Sequence, residues 1–240
     1  MTVLPYKETS TSKKQQVENM FDNISPTYDR LNHLLSLGID KIWRKKAIKI
    51  LSKFKPKLIL DVATGTADFA IAATSLNPEK IIGIDISANM LLQGEKKINA
   101  LKLNSVIELR KEDSENLSFA DNFFDAVIVS FGVRNFENLE RGLSEIRRVL
   151  KKDGVLLVLE FSKPQAFPVK QLYAFYFRYL LPWVGKLISG DRHAYHYLPA
   201  SVEVFPYGKK FIDILTNTGY SSVQCIPLTF GISSIYIGQK

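Results

Sequence analysis

The stretch Leu58-Ile59-Leu60-Asp61-Val62-Ala63-Thr64-Gly65-Thr66-Ala67-Asp68 reads as an apolar strand that runs into a turn of small residues and then into a helix. A second apolar run, Ile81-Ile82-Gly83-Ile84, ends in Asp85, twenty residues beyond Gly65. A βα turn free of bulky side chains lets a nucleoside approach the backbone, and an acid at the tip of the next strand can accept hydrogen bonds from both ribose hydroxyls. Together the two segments predict a βαβ unit that holds an adenosine-containing ligand.

What the turn lacks narrows that ligand. A dinucleotide site uses three glycines so that a pyrophosphate can rest on the helix N-terminus; here Ala63 and Ala67 take the outer small positions and only Gly65 is glycine. Asp61 and Asp68 flank the turn with negative charge, which repels phosphate and suits a ligand carrying a sulfonium and an α-ammonium group. S-adenosylmethionine (SAM) has both. Val106 to Arg110 reads as a third strand followed by Asp113 and Ser114, whose carboxylate and hydroxyl stand where an adenine amino group needs partners. Asp125 to Gly132 reads as a strongly apolar fourth strand that opens into the polar loop Val133-Arg134-Asn135-Phe136. Ligands of open α/β sheets lie outside the carboxyl ends of the strands, so reacting groups are expected there.

Strands near 58, 81, 106, 125 and 155 alternate with helical patterns at 67–76, 88–101 and 138–150, after a group of short helices within 14–53. This alternation predicts an α/β fold with a mainly parallel sheet and helices on both faces. The turn Lys152-Asp153-Gly154 is expected to start the fifth strand, Val155 to Phe161, and Ser222 to Pro227 with Ile232 to Gln239 reads as a closing hairpin. At 240 residues and 46% hydrophobic content the chain fits a single domain, with an N-terminal helical cap (1–56) and an insertion over the substrate side of the sheet (162–206).

Several segments are more particular than the turn. Phe21-Asp22-Asn23-Ile24-Ser25-Pro26-Thr27-Tyr28-Asp29-Arg30-Leu31-Asn32, Ser130-Phe131-Gly132-Val133-Arg134-Asn135, Leu159-Glu160-Phe161-Ser162-Lys163-Pro164 and Tyr195-His196-Tyr197-Leu198-Pro199-Ala200-Ser201, with the Asp61 to Asp68 turn, resemble the ubiquinone/menaquinone biosynthesis C-methyltransferase family over nearly the whole chain. The resemblance implies a Rossmann-like SAM-dependent methyltransferase fold with a seven-stranded sheet, one strand of it antiparallel. It also implies methylation of a ring carbon on a polyprenylated quinol, with SAM as donor. Carried over by position, the family's cofactor contacts fall on Thr66, Asp85, Asp113, Ser114 and Ser130, beside the Asp61 and Gly65 read from the turn itself. Ala67 departs from the pattern, since many relatives place glycine there. The expected acceptor is demethylmenaquinol, with the benzoquinol of ubiquinone synthesis as the alternative. A SAM-dependent methyltransferase of RNA or of another small molecule, and a nonenzymatic SAM-binding subunit, are the readings outside it.

A reduced quinol, unlike a quinone, has an electron-rich ring carbon once a phenolic proton is withdrawn. Arg134 and Asn135 are the candidates to hold the developing phenolate, and His193 and Tyr197, from the insertion, to relay a proton or clamp the ring. Phe21, Ile24, Tyr28 and Leu31 are spaced to fold over the cofactor as a gate, with Asp22 and Asp29 approaching its cationic end.

Composition limits the rest. Three histidines and the single Cys225 give no metal-ligand spacing, so no metal is expected. Met1 to Ser12 is polar, which predicts a cytoplasmic chain. Leu172 to Ile188, interrupted by Arg178, Pro182 and Lys186, does not read as a membrane span. The aromatic cluster Tyr173, Phe175, Tyr176, Phe177, Tyr179 and Trp183, with Leu180 and Leu181, fits core or homodimer packing, or a groove for an isoprenoid tail. The net charge of +8 gathers over Asp40 to Lys57, where basic residues surround an apolar stripe of Ile42, Trp43, Ala47, Ile50, Leu51 and Phe54. That segment reads as a solvated amphipathic helix, or as a peripheral contact with an anionic membrane at the inner face of the cytoplasmic membrane. Nucleic acid is disfavoured as a partner: the strand-four loop has no proline of the kind that base-amine methyltransferases carry, and no RNA-binding module is appended.

Overall fold

The computed structural model of the protein describes residues 3–6, 10–176, 179 and 192–240, apart from the side chains of Leu34, Leu35, Arg192, His193 and Tyr195. The apolar runs form one sheet of seven strands, β1 (Leu58–Val62), β2 (Lys80–Asp85), β3 (Ile107–Lys111), β4 (Phe124–Ser130), β5 (Leu150–Phe161), β6 (Ser221–Leu228) and β7 (Ser233–Gln239). Their order is β3-β2-β1-β4-β5-β7-β6. β1 lies parallel between β2 and β4, and β7 enters antiparallel between β5 and β6. The described helices are α1 (Lys13–Ile24), α2 (Tyr28–Leu35), α3 (Ile39–Leu51), α4 (Asp68–Ala73), α5 (Ala88–Ala100), α6 (Leu139–Val149), α7 (Val169–Phe175), α8 (Arg192–Val204) and α9 (Lys209–Asn217).

The central strands read as unbroken apolar runs because both faces are covered. Ile59, Ile128 and Leu157 pack on one face against Trp43, Ala47 and Leu51 of α3 and Phe69 and Ala70 of α4. Leu60, Val127 and Leu156 pack on the other against Leu143 and Ile146 of α6 and Phe211 and Leu215 of α9. A third, smaller core joins the N-terminal helices to the rest: Val17, Met20 and Leu31 meet Met90 of α5 and Ala194 and Tyr197 of α8. Side-chain caps fix where helices begin, with Ser87 Oγ accepting from Met90 N at 3.1 Å and Asn138 Oδ1 from Arg141 N at 3.0 Å.

Two boundaries differ from the sequence expectation. β5 begins at Leu150, not at Val155, because Leu150 pairs with Phe124 across a register shift, and the strand passes through Asp153 in the left-handed region at φ 63°. The basic helix ends at Leu51, where a short 3-10 turn, Lys55 at φ 47° and Pro56 close it. Its buried face is Trp43, Ala47, Ile48 and Leu51, so Ile48 replaces Ile42 and Phe54, both of which are exposed. No helix among the described residues is long and apolar enough to cross a membrane.

This winding puts the carboxyl ends of β1 to β5 along one edge, with the chain reversing direction across the sheet at β1, between β2 and β4. The crevice at such a reversal is where open α/β sheets bind ligands. α1, α2, α7 and α8 lie over it.

Candidate cofactor and acceptor site

The turn after β1 is built from alternating left-handed residues: Ala63 (φ 53°), Gly65 (φ 56°) and Ala67 (φ 65°). A Cβ placed on Gly65 would meet nothing within 4 Å, so its backbone faces open space, as a cradle for a ligand requires. Ala67, fully buried, holds the left-handed conformation at a cost of roughly 1–2 kcal/mol that glycine would avoid, which is the physical content of the departure seen in the sequence. The two strand-tip acids hold the turn in place. Asp85 Oδ2 accepts from Gly65 N at 2.8 Å and its Oδ1 from Ser87 N at 2.9 Å. Asp61 Oδ2 accepts from Thr64 Oγ1 at 2.6 Å, while Asp61 Oδ1 has no partner.

Burial dominates the charge state of both acids. It pushes the Asp61 carboxyl up to about 7 and the Asp85 carboxyl up to about 6, against the opposing hydrogen bonds from Thr64 and from the backbone of Ser87 and Gly65. Two buried carboxyls resisting ionisation on one edge form a site that gains by receiving a cation.

Two cavities meet at this edge. The smaller, about 70 Å³, lies over β2 and β3 and is lined by Gly65, Asp85, Ile86, Met90, Asp113, Ser114 and Asn135 among others. The larger, about 420 Å³, lies over β1 and β4 and extends to α2, α3, α7 and α8. Phe21, Tyr28, Ala63, Gly65, Ser130 and Phe131 line both. The strand-tip loops approach so closely here that a Cβ on Gly132 would stand 2.6 Å from Ala63 Cβ. Trp43, Phe131 and Phe161 form an aromatic wall of the larger cavity, with ring centroids 4.5 to 6.3 Å apart.

Around these cavities four buried polar atoms have no hydrogen-bond partner among the described residues: Asp61 Oδ1, Ser130 Oγ, Asn135 Oδ1 and the Tyr197 hydroxyl. An unsatisfied buried group costs about 1–3 kcal/mol, so native proteins keep few of them. Their convergence on one crevice marks where a polar ligand would complete the structure. Burial also pushes the Tyr197 phenol up to about 12, which keeps it a neutral donor.

Arg134 occupies the larger cavity as half of a buried ion pair. Its Nη1 donates to Glu160 Oε1 at 2.9 Å and to Phe131 O, its Nε to Ser201 Oγ at 3.2 Å, and its guanidinium carbon sits 5.5 Å from the Phe161 ring centroid. Nη2 has no hydrogen-bond partner among the described residues and is the donor left for a ligand. Glu160, fully buried at the end of β5, is raised by burial, and Arg134 draws it down toward ionisation.

The structure therefore brings Asp61, Gly65, Asp85, Asp113, Ser114, Ser130, Arg134, Asn135 and Tyr197 to one crevice. Thr66 reaches the wall of the larger cavity, but its hydroxyl donates to Asp29 Oδ1 at 2.5 Å and accepts from Lys97 Nζ at 3.0 Å. The side chain of His193 lies outside the described residues, as do Phe177, Leu180, Leu181 and Trp183; Tyr173 and Tyr176 line the larger cavity.

One expectation is corrected. Asp22 and Asp29 do not extend toward a ligand. Asp22 Oδ1 accepts from Ser87 Oγ at 2.6 Å and Asn89 N at 3.1 Å, and Asp29 is held by Thr66 and by Lys97 at 2.9 Å. These bonds tie α1 and α2 to the turn and to α5, and neither acid lines either of the two cavities. On the adenine side the same cap is fastened by Lys14 Nζ to Asp113 Oδ2 at 2.6 Å and by Lys13 Nζ to Phe136 O at 2.6 Å.

The sequence profile of the ubiE/COQ5 methyltransferase family matches residues 9–240. The chain belongs to this family. It is 49% identical over 239 residues to the demethylmenaquinone methyltransferase of Bacteroides fragilis, covering 99% of this chain and 97% of that one. It is 41% identical over 232 residues to a protein of Geotalea uraniireducens named ubiquinone/menaquinone biosynthesis C-methyltransferase UbiE, covering 96% and 98%. Among solved structures, a SAM-dependent methyltransferase from Thermotoga maritima superposes with a TM-score of 0.62 at 19% identity, over 92% of this chain and 99% of that one. The protein is thus a methyltransferase with the Rossmann-like fold of the SAM-dependent enzymes, and the residues present fit SAM: an open glycine turn beside two buried carboxyls, Asp61 and Asp85.

Glu160, Ser201 and the aromatic trio were not anticipated as site residues. Glu160 carried a usable signal, because an apolar run closing in an acid is the pattern that pointed to Asp61 and Asp85. The aromatic trio is scattered over α3, the loop that follows β4 and the end of β5, and only folding assembles it.

Proposed function

We propose that the protein methylates a ring carbon of demethylmenaquinol, the reduced prenylated naphthoquinol of menaquinone biosynthesis. The observation that carries this reading is that the aromatic wall of Trp43, Phe131 and Phe161 and the unpartnered hydroxyls of Ser130 and Tyr197 line one and the same cavity, the larger one. A flat ring bearing a hydroxyl satisfies both. The name of the Bacteroides fragilis relative supports the same acceptor, and that of the Geotalea uraniireducens relative covers both quinones.

Bound SAM would supply a methyl electrophile activated by its sulfonium. Asp85 would hold the ribose hydroxyls, Asp113 and Ser114 the adenine edge, and Asp61 Oδ1 the cationic end. On the acceptor side, Nη2 of Arg134 holds the phenolate oxygen, which drives electron density onto the adjacent ring carbon, while Asn135 lines the smaller cavity beside Asp85 and Asp113. Glu160 and Ser201 fix the guanidinium so that no reorganisation is needed as charge develops. Tyr197, neutral at working pH, donates to a ring oxygen. The apolar walls exclude water, which would otherwise compete for the phenolate.

The test is to incubate the protein with methyl-labelled SAM and each chemically reduced prenylated ring, naphthoquinol and benzoquinol, and to place the label by mass fragmentation. Label on a naphthoquinol carbon is the expected result. Label on oxygen, or on the benzoquinol alone, overturns the assignment of the acceptor.

A further inference from the structure

The larger cavity opens at a rim whose side chains do not behave like an ordinary protein surface. Leu37 is 83% exposed and Leu172 65% exposed, and both line the cavity. Next to them α3 turns Ile39, Asp40 and Trp43 inward to the cavity and Ile42 outward, 64% exposed. Trp43 Nε1 donates to Thr229 Oγ1 at 2.7 Å, which brings the loop before β7 alongside, and there Phe230 is 80% exposed. Leu37 (φ 51°) and Phe230 (φ 57°) are both held in the left-handed region, where bulky residues are true outliers. Such strain persists where function requires it, and here it holds large apolar side chains out into solvent.

Of the acids that line this cavity, Asp40 and Asp68 are ion-paired with Arg44 and Asp61 is buried, so the unneutralised charge beside the rim is that of the α3 lysines. Lys45, Lys46 and Lys49 follow Ile42 at helical spacings of three, four and seven and share its face. They are exposed and make no ion pair among the described residues. Exposed apolar side chains backed by unneutralised lysines on one helix face are the makings of an interfacial surface.

We propose that the mouth of the larger cavity docks onto an anionic phospholipid bilayer, with Leu37, Ile42, Leu172 and Phe230 entering the apolar boundary and the α3 lysines meeting the headgroups. A substrate dissolved in the bilayer then passes into the cavity without crossing water. The route, though not the docking itself, rests on the proposed prenylated acceptor.

Sedimentation of the full chain with vesicles tests this. With phosphatidylcholine containing phosphatidylglycerol the wild type co-sediments, and it is released by added salt; with phosphatidylcholine alone it binds weakly. I42S/F230S and K45E/K49E each lower partitioning by at least about tenfold. I42S/F230S leaves methylation of a short-chain quinol in solution unchanged and slows methylation of a prenylated quinol embedded in vesicles. Wild-type protein that ignores anionic vesicles, or variants that bind as well as it does, overturn the proposal. So does sedimentation velocity showing a dimer that I42S/F230S turns into monomer, since the surface would then belong to a second copy of the chain. If vesicle binding follows the stated pattern while no quinol is methylated in either form, the docking stands and the acceptor assignment falls.

Discussion

Replacing Glu160 with glutamine separates what the buried ion pair does for stability from what it does for chemistry. The carboxylate is fully buried and its partner guanidinium 7% exposed, so solvent screens neither charge. Glutamine keeps the volume and one acceptor oxygen for Arg134 and for Phe161 N, which the carboxylate now receives at 2.9 Å from each. What is lost is the countercharge, and removing one partner of a buried pair costs about 3–5 kcal/mol, because the other charge is left uncompensated. For a chain of this length that is a fall of roughly 6–20 °C in Tm. Replacing the pair together with apolar residues of similar size, R134M/E160L, removes both desolvation penalties and returns stability to within about 1 kcal/mol of the wild type. The chemistry responds differently. With Nη2 gone the double variant loses about 10²–10³ in kcat, the cost of one electrostatic donor to a developing oxyanion, while SAM affinity is retained. Urea melts read stability, calorimetry reads SAM binding, and label transfer reads turnover. A Glu160→Gln variant as stable as the wild type, or a double variant that turns over normally, refutes the role given to the pair.

Tyr197→Phe deletes a buried hydroxyl that has no hydrogen-bond partner among the described residues. Stability is therefore expected to hold or rise slightly, with SAM affinity unchanged and kcat reduced; steady-state kinetics with unchanged kcat would remove Tyr197 from the acceptor site. The raised Asp61 and Asp85 carboxyls make the free protein's stability depend on pH. Each folded-state pKa lies above the unfolded value, so the native state keeps a proton that the unfolded chain releases, and stability falls as pH rises from about 4 to about 7. Urea midpoints across that window should slope downward for the wild type, and Asp61→Asn should flatten the slope; an unaltered slope would mean that Asp61 ionises freely. A cationic ligand favours the ionised acids, so SAM should bind more tightly above about pH 7 than near pH 5, by calorimetry at both.

Much of the site could be read from the chain because its logic is local. An apolar run that closes in an acid, as at Asp61 and Asp85, states both the strand and the group at its tip. The features that could not be read depend on contacts between distant segments. Arg134 and Glu160 lie 26 residues apart and meet only because β4 and β5 are neighbours. Asp22 and Asp29 resemble ligand-facing acids until folding supplies Ser87 and Lys97 as their partners. At β5, Lys152-Asp153-Gly154 has the composition of a turn, but the register shift opposite Phe124 lets the strand absorb it. In α3 the helical period and most of its phase were legible, since Trp43, Ala47 and Leu51 are buried and Ile50 packs beside them; the difference is that Ile48 is buried and Ile42 faces solvent.

The central claim is that acids at neighbouring strand tips hold an adenosyl sulfonium beside an aromatic cavity. Titration calorimetry of SAM into the folded wild type and into Asp85→Ala, each checked by circular dichroism, tests it most directly. Saturable heat with the wild type and its loss in the folded variant is the predicted result; a silent wild type, or equal affinity in both, would contradict it.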